Sequence, residues 1–179
     1  YYQPGWTMVG AGVFKKEETA RSTASVMPSY VTHIRGTVAS FQPDENSVKL
    51  EDGKALTYDS LVVAAGLQLD WAAIEGLEEA LGRNGVTSNY RYDLAPYTWE
   101  LVQKMRGEKA IFTQPPMPIK CAGAPQKAMY LSCSTWMQAG KIKDIDVSFC
   151  NAGPVLFGCA DYVPPLMEYV DRYGINLDF

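Results

Sequence analysis

The chain has 179 residues, with 16 basic and 20 acidic side chains, one histidine and a formal charge of −4. That balance excludes a nucleic-acid binder working through bulk charge, because a basic footprint supplies most of such affinity. Apolar residues make up 47% of the chain, and no apolar run approaches the roughly 20 residues that span a bilayer, so a disordered chain and a transmembrane helix both fit poorly.

Residues 1 to 30 show no clear period; Gly5, Gly10 and Gly12 suggest loop, with a short helix expected over Val13 to Ala20. From Val31 the pattern turns to β-favouring alternation through Ile34, Val38 and Phe41. Val48 and Leu50 then lead into Asp52-Gly53 and Ala55 to Tyr58, and Asp-Gly between two such runs predicts a hairpin. Leu61-Val62-Val63-Ala64-Ala65 is continuously apolar up to Gly66, which predicts a strand buried on both faces in a parallel sheet. Residues 67 to 92 are irregular and aromatic. Beyond them the spacing predicts a helix over Asp93 to Met105, a strand over Lys109 to Thr113, and a helix from Pro125 to Gln138. A strand over Asp146 to Cys150, a helix over Asp161 to Tyr173 and a strand edge over Ile175 to Phe179 complete the series. Strand and helix alternating in this way predict a doubly wound, mostly parallel α/β sheet.

Such a unit invites a dinucleotide reading, and the turn after the 109 to 113 strand is where its glycines belong. That turn reads Gln114-Pro115-Pro116-Met117-Pro118, which lacks the G-x-G-x-x-G pattern that lets backbone approach a pyrophosphate. Gly10-Ala11-Gly12 follows no convincing strand and has Lys15 where the third glycine belongs. The cysteines, Cys121, Cys133, Cys150 and Cys159, form no CxxC pair and have no histidine near them, so no metal site is expected. His33 has no carboxylate or serine arranged around it that would argue for a triad. Cys121 follows Lys120 and precedes the Pro125 helix, with Lys127 in its first turn. A helix N-terminus and neighbouring cations favour a thiolate, hence a nucleophile. The alternative at this point is a small buried hydrophobe without chemistry. Cys133 has Met129 and Trp136 at helical spacing and reads as core.

Three passages together resemble the sulfide:quinone oxidoreductases of mitochondrial type, which are flavoproteins with two dinucleotide-binding domains. They are Tyr1 to Gly12 (YYQPGWTMVGAG), Tyr58 to Gly66 (YDSLVVAAG) and Lys120 to Lys127 (KCAGAPQK), of which the last is the specific one; residues 23 to 29 and 66 to 70 extend the likeness. The resemblance implies a Rossmann-like FAD/NAD(P)-binding α/β fold with a parallel sheet plus a β-hairpin, incomplete in this chain. Residues 1 to 105 would be part of an FAD-binding domain and 106 to 179 part of a second Rossmann-like domain carrying the redox cysteine.

The function implied is oxidation of hydrogen sulfide, with two electrons passed through FAD to ubiquinone. Cys121 matches the cysteine that carries the persulfide, which a thiol acceptor such as glutathione removes. Its redox partner is expected beyond residue 179, since Cys133, Cys150 and Cys159 do not match it. FAD contacts are implied at Gln3, Val38, Ala65 and Gly66; the usual threonine before that glycine is Ala65 here, so only backbone contact remains at that position. The chain opens without Met or leader and reads as an internal piece. The glycine fingerprint is expected upstream, and the quinone pocket and membrane-contacting segments downstream. The implied place is the inner mitochondrial membrane, held peripherally. Alternatives are an NADH-dependent quinone or disulfide reductase, which needs the missing glycines, and a non-catalytic or truncated module of the same fold.

Overall fold

The computed structural model describes residues 1–179, which divide into two compact units: Ser22–Ala73, and Tyr1–Arg21 together with Ile74–Phe179. No helix is long and apolar enough to cross a membrane.

In the Ser22–Ala73 unit, Ser22 opens a short helix, α2 (Thr23–Val26), its Oγ accepting the Ser25 amide at 3.2 Å. The strands β1 (Val38–Gln42), β2 (Ser47–Leu50) and β3 (Ala55–Thr57) form an antiparallel sheet in that order. The Asp52-Gly53 hairpin forms as the sequence predicts: Gly53 has φ +87°, where a side chain is disfavoured, and the Asp52 carboxylate accepts the Lys54 amide at 3.0 Å. Val48, opposite Leu56, and Leu50, opposite Val38, are buried.

Two expectations for this unit are corrected. The β alternation begins at Val38, while residues 31 to 37, including His33, form no strand. The apolar run Leu61 to Ala65 is not a strand either: its residues are exposed, Val62 by 87%, and residues 59 to 69 take part in no backbone–backbone hydrogen bond. A strand exists only through its ladder, and the sheet of this unit ends at β3 without pairing this run. High β-propensity reports a surface suited to a sheet and does not supply the neighbour.

In the other unit the elements are α1 (Trp6–Val9), α3 (Leu77–Ala80), α4 (Ala95–Lys104), β4 (Lys109–Gln114), α5 (Ala124–Gln138), β5 (Asp146–Asn151), α6 (Val163–Tyr173) and β6 (Asn176–Asp178). The helix expected over Val13 to Ala20 shortens to a 3-10 turn at Lys16–Thr19. From α4 onward each expected element forms, its ends shifted by one or two residues. The helix expected from Asp161 starts at Val163 behind a 3-10 turn, Ala160–Tyr162, with Pro164 and Pro165 in its first turn, where proline costs no helical hydrogen bond.

The strands are parallel in the order β4-β5-β6, with Ala110 opposite Val147 and Phe149 opposite Leu177. Consecutive parallel strands joined by right-handed crossovers carry their helices on one face. There Ala110, Val147 and Phe149 pack with Met129, Cys133 and Trp136 of α5, Val102 of α4 and Val170 of α6. The alternate residues of β4 point away from this core, and Ile111 is 58% exposed.

Cys133 is fully buried in this core, as its helical spacing predicts. Burial pushes its thiol from the ordinary 9.0 up to about 12, and burial, with the Cys133 charge second, pushes Tyr130 from 10.0 to about 12. In the folded state both groups therefore keep protons that the unfolded chain releases, so stability falls as pH rises from about 9 toward 12. Cys133→Ala is expected to flatten that fall over the lower part of the window, with Tyr130 supplying the remaining slope from about 10. Urea midpoints measured at a series of alkaline pH values check this, and equal slopes for both proteins would refute it.

The stretch Gly10-Ala11-Gly12 follows α1, and its glycines serve packing. A Cβ on Gly10 would come within 2.7 Å of Asn89 Oδ1, and one on Gly12, at φ +73°, would collide with the Trp99 indole. Gly12→Ala is expected to lower stability by about 2–4 kcal/mol, combining the left-handed backbone with overpacking. The midpoint of chemical unfolding reads this, and a change near zero would contradict it.

Candidate functional site around Cys121

β4 ends at Gln114, and the chain passes through the proline-rich segment before α5 starts at Ala124. This path is too long and too proline-rich to form a glycine turn against a pyrophosphate. It places Cys121, which is exposed, just ahead of α5 with Gly123 at the N-cap. Cys121 has φ +65°, the left-handed region that residues with a Cβ seldom occupy. Its carbonyl accepts the Ala124 amide at 2.9 Å, and the Lys127 amide then bonds to Gly123 O at 2.9 Å, the start of the helical ladder. Cys121 is therefore no buried hydrophobe.

The neighbour that sequence reasoning missed is Tyr90, in the irregular aromatic stretch. Its hydroxyl donates to the Lys120 carbonyl and lies 3.4 Å from the Cys121 carbonyl, while the Lys120 ammonium is 5.9 Å from the centre of its ring. Burial, and secondarily the nearby Cys121 charge, push the phenol above its ordinary value. No local motif announces such a residue; its aromatic character was the only signal. In the first turn of α5, Gln126 is buried and donates from Nε2 to Leu156 O at 2.6 Å, tying the helix start to the loop after β5, while its Oε1 has no partner.

The other cysteines differ from Cys121. Cys133 is buried in the core, Cys150 is half-buried within β5, and Cys159 is exposed; all four are free thiols. Among His, Cys, Asp and Glu no group is arranged to hold a metal ion.

The positions implied for FAD are distributed between the two units. Gln3 is half-buried in the 3-10 turn Gln3–Gly5 of the same unit as Cys121. Val38 opens β1 and is exposed, and Ala65 and Gly66 are exposed at the end of the unpaired apolar run. Gly66 has φ +78°, and no atom lies within 4 Å of the point a Cβ would occupy. Open space, unpaired peptide groups on residues 59 to 69 and the absence of a side chain at 66 fit a cofactor held by backbone contacts. Ala65 offers no hydroxyl, so a side-chain hydrogen bond at that position is excluded.

No protein-family model matches the chain. The chain is similar over 97% of its length, with a TM-score of 0.75 and 18% identity, to a chain in the Tetrahymena thermophila mitochondrial ATP synthase F1Fo composite tetramer, covering 45% of that chain. It is also similar over 98% of its length, with a TM-score of 0.74 and 22% identity, to the sulfide:quinone oxidoreductase of the hyperthermophilic bacterium Aquifex aeolicus, covering 41% of that chain. These likenesses, with the parallel β4-β5-β6 sheet and the hairpin sheet, define a Rossmann-type α/β fold.

Sequence carries the assignment further. The chain is 40% identical over 181 residues to the mitochondrial sulfide:quinone oxidoreductase of Dictyostelium discoideum, and 38% identical over 179 residues to that of Mus musculus. It is 40% identical over 182 residues to that of Schizosaccharomyces pombe. This similarity to sulfide:quinone oxidoreductases of mitochondrial type runs along the whole chain. The chain spans about 40% of the length of these relatives.

Proposed function

We propose that this chain is the Cys121-bearing part of an enzyme that oxidises hydrogen sulfide and delivers two electrons to ubiquinone. The observation that carries the proposal is the exposed thiol of Cys121, held ahead of α5 in the one specific motif of the chain, where a nucleotide fingerprint would otherwise lie. The similarity along the whole chain to mitochondrial sulfide:quinone oxidoreductases supports it.

In this reading Cys121 begins in a disulfide with a second cysteine supplied by the rest of the protein. Hydrosulfide attacks Cys121 Sγ; a new S–S bond forms, the disulfide breaks, and the second cysteine leaves as a thiolate with the electron pair. Cys121 is left as a persulfide. A thiolate acceptor, such as glutathione, then attacks the outer sulfur, takes it away as its own persulfide and releases Cys121 as a thiolate. Bound FAD supplies the two-electron carrier between sulfur and quinone. Gln3, Val38, Ala65 and Gly66 are the residues that would hold it, the last two through backbone. Residues 1 to 105 then belong to the FAD domain and 106 to 179 to the second Rossmann-like domain. The place of action is the inner mitochondrial membrane surface; the names of the three relatives place those proteins in mitochondria.

A reaction that draws electrons from sulfide needs no second nucleotide, in keeping with the proline-rich path after β4. The NADH-dependent alternative has no such support. The test is sulfide-dependent reduction of a soluble ubiquinone analogue by the full-length protein. Activity with sulfide and none with NADH is expected; the reverse would refute the proposal.

A further inference from the structure

We propose that Tyr90 is a positioning residue for the Cys121 thiol, its hydroxyl holding the left-handed turn that presents Cys121 to solvent. The inference rests on the reading of Cys121 as the sulfur-accepting thiol and adds a residue to that site. The Lys120 carbonyl belongs to the peptide group joining 120 to 121, so its orientation sets φ of Cys121. The Cys121 carbonyl belongs to the next peptide group, so its orientation sets ψ. Tyr90 donates to the first, and the second is held by the Ala124 amide at 2.9 Å with Tyr90 Oη 3.4 Å away. A phenol has a single proton, which the closer Lys120 carbonyl takes. Both peptide groups flanking Cys121 are thereby fixed at φ +65°, a conformation that a residue with a Cβ leaves when nothing holds it.

The contact is made from 31 residues upstream, so it is a tertiary brace and not part of the turn itself. Half-buried beneath Lys120, and with its phenol pushed up by burial and by the Cys121 charge, Tyr90 keeps its proton where thiols ionise. Without the hydroxyl the turn relaxes, the Cα–Cβ direction of Cys121 swings, and Sγ no longer points where the sulfur chemistry takes place.

The test uses the full-length protein, reduced and then freed of reductant, with iodoacetamide as the probe. Peptide mass spectrometry follows Cys121, Cys159 and Cys133 in the same sample. In Tyr90→Phe, which keeps the ring, the rate at Cys121 relative to exposed Cys159 is expected to change about fivefold, the ratio that one ordinary hydrogen bond sets. Cys133 stays protected. In turnover with sulfide, kcat falls by a similar factor while KM for the quinone analogue is unchanged. A Cys121 to Cys159 ratio equal to wild type overturns the inference, and so does loss of protection at Cys133, which would give Tyr90 a purely structural role. The alkylation ratio does not depend on turnover, so an active Cys121→Ser enzyme would refute the functional reading separately.

Discussion

Replacing Cys121 by serine in the full-length protein is expected to lower sulfide-dependent quinone reduction at least about 100-fold, since serine can neither form the disulfide nor carry the sulfur. Oxygen is nearly isosteric with the thiol, and Cys121 is exposed outside both regular elements that flank it. The fold therefore has little reason to respond, and the unfolding midpoint of Cys121→Ser should stay close to wild type. Loss of turnover with an unchanged midpoint separates chemistry from folding. The same substitution at Cys150, half-buried in β5, removes no reacting sulfur and should leave turnover largely intact. A Cys121→Ser protein that keeps most of its sulfide-dependent activity would remove the residue from the reaction.

The largest effect on stability is expected at Trp136. Its indole is 2% exposed, packs beside Phe112 at a centroid distance of 6.4 Å, and donates from Nε1 to Val102 O of α4 at 2.9 Å. It thus joins α5 to both the sheet and the preceding helix. Trp136→Ala removes a large buried side chain and leaves a buried carbonyl without that donor, at a cost of about 3–5 kcal/mol. Against a typical total of about 5–15 kcal/mol, that is a large part of the stability of a domain. Equilibrium unfolding in urea measures it, and a loss below about 1 kcal/mol would mean that the core is not organised around this residue. Trp136→Phe keeps most of the packing and isolates the contribution of the hydrogen bond.

Much of the Cys121-bearing unit was legible because its signals are local. Helices α4, α5 and α6 show apolar periodicity, β4 has a short apolar centre, Ala110 to Phe112, β5 alternates buried Val147 and Phe149 with more exposed neighbours, and Gly174 closes α6 with φ +65°. The hairpin was legible from Asp52-Gly53 for the same reason. The run at 61 to 65 was misread because its composition satisfies the demands of a buried strand while pairing depends on a neighbour that composition does not encode. His33 failed likewise, its β-favouring surroundings lying outside any ladder.

At the candidate site, the proline-rich path and the exposed cysteine ahead of a helix were readable from residue order. Tyr90 was not, because a hydroxyl reaching carbonyls 30 and 31 residues away leaves no periodic mark. Gly10 and Gly12 are set aside as a nucleotide fingerprint for want of a preceding strand and a third glycine. They form part of a nucleotide-like pattern, and the reason for their small size, contact with Asn89 and Trp99, becomes visible only in three dimensions.

The central claim is that sulfide sulfur becomes bonded to Cys121. The most direct measurement is anaerobic treatment of the oxidised full-length protein with sulfide in the absence of acceptor, alkylation to trap the product, and peptide mass spectrometry. One additional sulfur atom on the peptide containing Cys121, lost again when glutathione is added, is the predicted result. Its appearance on another cysteine, or its absence from Cys121 while quinone is still reduced, would contradict the account.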